Sequence, residues 1–156
     1  KTWPMRYKEG RMTGYRHFTT YKVAPRFPFG FGLTYTTFKI DLSGVSSGVI
    51  KPGDTVKLLA KITNTGPTAG AETLQLYIKD EEASLPRPDM ELKGFEKVFL
   101  EPGETKEVSF EITRDDLSFY HPEKGWTCEP ANFRLLLGTS AMHMIGEAAI
   151  THMRGE

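Results

Sequence analysis

KEVSFEIT (Lys106–Thr113) alternates without a break. Val108, Phe110 and Ile112 fall on one side, Glu107, Ser109, Glu111 and Thr113 on the other. Successive side chains of a strand point to opposite faces, so this segment reads as a strand with one face buried and one wet, as in an antiparallel sheet. The same period of two recurs from Phe38 onward. TVKLLAKITN (Thr55–Asn64) puts Val56, Leu58, Ala60 and Ile62 on one face. TLQLYIKD (Thr73–Asp80) does so with Leu74, Leu76 and Ile78, and FRLLLG (Phe133–Gly138) with Phe133, Leu135 and Leu137. No segment after Phe38 carries a helical stripe of three turns.

The punctuation agrees with a β fold. KPGDT (Lys51–Thr55) and EPGET (Glu101–Thr105) share Pro-Gly-acid-Thr just before a strand. Proline presets φ at the first central position of a turn and glycine accepts positive φ at the second, as a type II turn requires. NTGPTAG (Asn64–Gly70) is a further link of this kind. Short strands with such turns indicate an all-β, antiparallel β-sandwich of the immunoglobulin or fibronectin type III kind. DEEASLPRPDMELKG (Asp80–Gly94), with two prolines and five acids, reads as a surface loop that crosses between sheets.

The first thirty-odd residues differ. YKEGRMTGYRHF (Tyr7–Phe18) reads as one strand without a neighbouring partner. Trp3, Tyr7, Tyr15, Phe18, Tyr21, Phe27, Phe29 and Phe31 are too many aromatics for a free tail, so this segment is expected to pack on the sandwich or on another domain. PRFPFGFGLTYTTF (Pro25–Phe38) reads as an extended connector that runs into the first strand at Thr36–Phe38.

With 156 residues the chain has room for one domain and an extension. Its 20 basic and 20 acidic residues cancel, which argues against nucleic acid, whose phosphates call for a basic excess, and against electrostatic attachment to a membrane. No run of eighteen apolar residues occurs. Lys1–Gly10 lacks the apolar core of a signal peptide, and an opening on Lys1 leads us to expect a fragment or processed piece of a longer polypeptide. Cys128 is the one cysteine; no motif surrounds it, and it is expected as a small residue on a strand.

Chemistry-bearing motifs are sparse. Glu81–Glu82 and Asp115–Asp116 are paired acids in loops, where solvated or capping roles outnumber catalytic ones. MHM (Met142–Met144) reads as an exposed hairpin end, and His17, His121, His143 and His152 form no ligand cluster in sequence. No phosphate-binding glycine loop, metal motif or cofactor motif is found. Trp3 and Trp126 are candidate sugar contacts, because aromatic faces stack on pyranose rings.

Taken in order, YKEGRMTGYRHF, PRFPFGFGLTYTTF, ITNTGPTAGAETLQLYI (Ile62–Ile78), RPDMELKGFEKVFLEPGET (Arg87–Thr105), DLSFY (Asp116–Tyr120) and FRLLLGTS (Phe133–Ser140) resemble the C-terminal end of glycoside hydrolase family 3 enzymes, mostly β-glucosidases and β-xylosidases. The resemblance covers essentially the whole chain. It implies that residues 1–36 are the tail of an upstream α/β sandwich domain and a connector, and that residues 37–156 form a fibronectin type III-like domain. Within the first part, Tyr7–Phe18 resembles the last strand region of the α/β domain and Arg26–Tyr35 the connector. The family's nucleophilic aspartate and acid/base glutamate lie upstream, so no catalytic residue is carried over. The spacing departs from the family at one place, where only Met5 and Arg6 separate Pro4 from Tyr7.

Two functions follow as expectations. One is an accessory domain that docks on the upstream catalytic domains of its parent through Tyr15, Arg16, Phe18, Phe27, Phe29 and Phe31, with the loop Asp80–Gly94 reaching toward the substrate entrance. The other is a carbohydrate-binding module that tethers polysaccharide. No cofactor is expected. The family leans toward secreted or periplasmic proteins, and the compartment is left open.

Overall fold

The computed structural model describes residues 8–153. Within them, ten strands carry the chain: β1 (Phe38–Val45), β2 (Val49–Ile50), β3 (Val56–Asn64), β4 (Gly70–Asp80), β5 (Glu91–Leu100), β6 (Thr105–Ile112), β7 (Phe119–His121), β8 (Gly125–Thr127), β9 (Ala131–Ser140) and β10 (His143–His152). One sheet has the order β1-β3-β6, the other β2-β10-β9-β4-β5, and β7-β8 is a separate hairpin. Every pairing is antiparallel except that of β2 with β10.

The two larger sheets share one apolar core. Leu58 and Ile62 of β3 and Ile112 of β6 are buried with Leu74 and Leu76 of β4, Leu135 and Leu137 of β9 and Ile150 of β10. These are the apolar positions of the alternating runs. Burying a side chain of this size contributes roughly 1.5–3 kcal/mol, which makes this shared layer the main stabilising term.

Both Pro-Gly turns behave as the spacing demands. Gly53 (φ 90°) and Gly103 (φ 79°) occupy the positive-φ position. The Asp54 and Glu104 amides donate to the carbonyls of Lys51 and Glu101, each at 3.0 Å. The acid closes the turn a second time, because its carboxylate accepts from the backbone N–H at the start of the turn, at 3.0 Å for Asp54 and 2.8 Å for Glu104. Asp116 plays a related part, closing a capping box with Thr113 at the start of the one-turn helix α2 (Arg114–Leu117).

Three expectations require correction. The strand expected within Tyr7–Phe18 is absent from its described part; Tyr15–Thr20 is a helical turn instead, α1. Gly14 at φ 57° turns the chain there, and Tyr15, Phe18 and Thr19, spaced i, i+3 and i+4, share one side of the turn. The Asp80–Gly94 segment does not cross between sheets: it joins β4 to β5 in the same sheet, and its irregular part is only residues 81–90. Cys128 lies just beyond β8 rather than within a strand; it is buried, and burial pushes its thiol above the ordinary range.

At the end of β3 a buried amide joins three parts of the chain. Asn64 Nδ2 donates to the carbonyls of Thr68 (2.8 Å) and Leu100 (3.0 Å). Its Oδ1 accepts from the Thr36 hydroxyl (2.6 Å) and the Gly66 amide (3.1 Å). All four hydrogen-bonding positions of the side chain are used, in a site sealed from solvent. Asn64→Leu keeps the volume but strands these partners, and it is expected to lower unfolding stability by about 3 kcal/mol. Urea denaturation of wild type and variant measures this, and a loss below about 1 kcal/mol would refute the role given to the amide.

Candidate functional site

The outer face of the five-stranded sheet is where the structure departs most from simple alternation. In β4, Leu74, Leu76 and Ile78 point inward, yet Gln75 and Tyr77, on the opposite face, are buried as well. Their cover is the N-terminal segment. Tyr77, Met90 and Ala141 form a second apolar cluster with Tyr15, Leu92, Leu136 and Met144.

Tyr15 is the hub of this contact. Its ring stands edge-on to Tyr77 (centroids 5.6 Å apart) and tilted against Phe29 (5.4 Å). Its hydroxyl accepts from the Leu92 amide at 2.8 Å. Tyr77 donates to Gln75 Oε1, and Gln75 Nε2 donates to the Thr139 carbonyl at 3.3 Å. Burial, with a further push from Tyr15, raises the Tyr77 phenol above its ordinary pKa, so it remains a donor at neutral pH. The Phe29 carbonyl accepts from the Ala141 amide at 2.8 Å, which ties the connector to the β9–β10 turn. Gly30 (φ 84°) lies so close to the sheet that a Cβ there would overlap the Gln75 amide.

Residues 27–35 therefore lie beside the sheet with their large apolar side chains half-exposed or more. Phe27, Phe29 and Phe31 are 64%, 50% and 49% exposed, and Leu33 and Tyr35 are 91% and 97% exposed. Phe27 and Phe31 stack on each other (5.4 Å), and Arg26 lies over the Phe27 ring (5.7 Å). Phe18, the remaining aromatic of the expected docking set, lines an apolar cavity of about 240 Å³ with Tyr15, Pro25, Phe27, Phe29 and Met142. The structure thus brings Tyr15, Phe18, Phe27 and Phe29 around one cavity, with Phe31 stacked on Phe27 beyond it.

Arg16 points to the other side of α1, into a row of alternating charges. Its guanidinium meets Glu91 at 3.3 Å, Glu91 meets Arg87 at 2.6 Å, and Arg87 meets Asp80 at 2.8 Å. The Arg87 side chain is only 7% exposed and lies 5.1 Å above the Phe119 ring. Burial works against ionisation of Glu91, but the hydrogen bond and charge of Arg87, with the charges of Lys93 and Arg16, outweigh it and hold the carboxyl below its usual range. The loop 81–90 is tied down elsewhere too, by Ser84 on Glu129 (2.8 Å) and by the Asp89 amide on the Thr20 hydroxyl (2.9 Å).

Trp3 lies outside the described residues. Trp126 is on the β7–β8 hairpin, 74% exposed and edge-on to Tyr120 at 80° and 6.1 Å. Among the described residues no group of three or more histidines, cysteines and acids is placed to hold a metal ion. His143 pairs with the Thr139 hydroxyl (2.9 Å), and buried His152 has Nδ1 3.1 Å from the Glu129 carbonyl oxygen. Sequence reasoning missed Gln75, Tyr77, Arg87 and Glu91. Gln75 on the off-beat of LQLYI reads as solvent-facing, and nothing in the sequence marked Arg87 as buried.

The family model for the fibronectin type III-like domain matches residues 72–141. The chain is 41% identical over 140 residues to thermostable beta-glucosidase B of Acetivibrio thermocellus, an overlap of 89% of this chain and 18% of that protein. It is 40% identical over 149 residues to beta-glucosidase BoGH3A of Bacteroides ovatus, covering 95% of this chain and 20% of the relative. Among solved structures, the GH3 beta-glucosidase of Bifidobacterium adolescentis superposes with a TM-score of 0.85 at 37% identity, over 92% of this chain and 21% of that one. This chain therefore spans 18% and 20% of the length of those two curated relatives.

Two outcomes are expected at this face. Gly30→Ala should lift the connector from Gln75 and accelerate hydrogen exchange at the Ala141 amide by on the order of tenfold or more; unchanged exchange would show that the connector is held by other contacts. Glu91, with its pKa lowered on folding, contributes stability that is complete above the ordinary glutamate pKa of about 4.3 and lost as pH falls through the lower folded value. Glu91→Gln should therefore lose stability less steeply than wild type as pH drops below about 4.3, read by urea unfolding at a series of pH values.

Proposed function

The chain corresponds to the C-terminal region of glycoside hydrolase family 3 β-glucosidases, including their fibronectin type III-like domain, and on that premise we propose that it is a non-catalytic accessory domain that docks on and stabilises the catalytic domains of a parent enzyme. The parent reaction is hydrolysis of terminal β-glycosidic bonds, as the names of the relatives indicate for those proteins. We read the two sheets around one core as the described part, residues 37–153, of the fibronectin-like domain expected over 37–156, and residues 8–36 as the described part of the upstream tail and connector.

The observation that carries this reading is the connector itself: it is fastened to the sheet by Tyr15, Phe29 and Gly30, yet its aromatic row stays uncovered. Exposed apolar strips of this kind mark partner surfaces. Surfaces between domains of one chain bury roughly 600–1,500 Å², which a row of five large side chains can seed. The loop 81–90, held by Arg87 and Ser84, is a formed edge that an intact enzyme can use to shape its substrate entrance.

A double-displacement glycosidase needs two carboxyl groups about 5–5.5 Å apart across a sugar site. Here Asp116 is engaged in a helix cap, and Glu81 is paired with Arg134 at 2.6 Å. The polysaccharide-tethering alternative needs a flat aromatic platform, and Trp126 and Tyr120 stand at 80° to each other. The accessory role is the better reading.

In the intact parent, replacing Phe27, Phe29 and Phe31 together by serine should lower the melting temperature by roughly 1 °C or more, the shift per kcal/mol being smaller than in a domain of this size. The isolated chain should release no nitrophenol from an aryl β-glucoside. An unaltered melting temperature in the triple variant would sink the docking role, and turnover by the chain alone would sink the non-catalytic one.

A further inference from the structure

Beside the aromatic connector lies a groove of different chemistry, with a volume of about 440 Å³. Its lining carries Arg11, Arg16, Arg87 and Lys93 against a single carboxylate, Glu91. Trp126 and Tyr120 form its aromatic rim. On a chain with no net charge this is a concentrated positive field.

The cations are not equally satisfied. Asp80, Arg87, Glu91 and Arg16 form the closed row of alternating charges described above. Lys93 and Arg11 are left over. Lys93 is half-buried, and among the described residues no carboxylate lies within ion-pair distance of its ammonium. Burial, with the charges of Arg87 and Arg16, pulls its pKa down more than Glu91 and Asp116 restore it, as expected for a cation that has lost water without gaining a contact partner. Asp116, the other nearby acid, is occupied by Thr113. Among the described residues, the one side-chain hydrogen bond of Arg11 goes to the Tyr120 carbonyl, at 3.2 Å. Within the same cluster Arg16 Nε is buried without an acceptor among the described residues.

We propose that this groove receives a carboxylate-bearing loop from the upstream part of the parent enzyme, with Lys93 and Arg11 as the receiving cations and Trp126 and Tyr120 as the apolar rim. The inference rests on the docking role proposed above and extends it to a second, polar contact. Three observations select this occupant. Arg11 belongs to the segment through which an upstream domain would join, so the groove opens beside the junction. Trp, Tyr and Arg beside a half-buried lysine are the residue types enriched in interface hot spots. A cation that is already half-buried has met part of its desolvation cost, so a carboxylate that completes the pair adds attraction at a smaller further cost.

The test uses the full-length parent. A water-soluble carbodiimide activates a carboxylate, an amine in contact displaces the urea, and an amide forms with net loss of water. Peptide mapping should find Lys93 coupled to an aspartate or glutamate of the upstream region. Acetylation of Lys93 by an N-hydroxysuccinimide ester should be at least about tenfold slower than that of exposed Lys51. In Lys93→Gln, the salt dependence of the melting temperature should weaken. The proposal is overturned if Lys93 acetylates as fast as Lys51, and also if it couples only to Glu91 or Asp116. It is equally overturned if Lys93 is shielded only when a uronate-bearing oligosaccharide is added, which would make the groove a site for acidic sugar. Oxidative footprinting of Phe27, Phe29 and Phe31 in the same samples separates the two readings: protected phenylalanines with a free Lys93 defeat this inference alone, while free phenylalanines defeat the docking role itself.

Discussion

Tyr77 is fully buried on the face of β4 that an alternating strand would leave to water, and its hydroxyl is spent on Gln75. That burial is possible only because Tyr15 and Met90 close over it. Without the N-terminal segment, the ring of Tyr77 and the amide of Gln75 would face solvent, and Ala141 would lose the carbonyl that fastens the β9–β10 turn. The position of α1, the close approach of Gly30 and the exposure of the connector's phenylalanines all follow from this contact. A strap held this firmly can offer its outer side to a partner without collapsing onto its own sheet.

The two outer faces of the molecule are built for different surroundings. On the three-stranded sheet, Lys57 pairs across strands with Glu111 at 3.2 Å and Lys61 with Glu107 at 3.3 Å, all four side chains largely in water. Such exposed pairs contribute little to stability. They keep that face soluble. The five-stranded sheet carries Phe95 and Phe99 on β5 in the open, next to the strap with its own aromatics. The asymmetry is hard to reconcile with a domain that meets water on all sides.

Most of the core was legible in the sequence because it is written in a period of two: Val56, Leu58, Ala60 and Ile62, then Leu74, Leu76 and Ile78, are the buried positions of β3 and β4. The Pro-Gly-acid turns were legible too, since only a positive-φ residue fits there. Gln75 and Tyr77 were not, because a polar residue on the off-beat of a strand reads as solvent-facing until something is known to cover it. The α1 turn was obscured by aromatic and β-branched residues that favour strands; Gly14 and the packing of Tyr15 override that preference. Arg87 was hidden for another reason. Its partners, Asp80 and Glu91, flank a loop rich in proline and acid, and their meeting depends on the loop's path rather than on any spacing. Of the residues named for docking, Tyr15, Phe18, Phe27 and Phe29 line one cavity and Phe31 stacks on Phe27, while Arg16 belongs to the charged row.

The hydrogen bond from Thr36 to Asn64 sits at the boundary between the strap and β1, in a place with no water to compete for it. It fixes the direction in which the chain enters β1. A domain hung on a loose tether must search for its docking site at an effective concentration set by tether length. One that leaves its neighbour at a set angle has given up that freedom during its own folding, and little remains to be lost when the surfaces meet. On this view a single buried amide, remote from any contact with a partner, would govern how tightly the two parts of such an enzyme hold together.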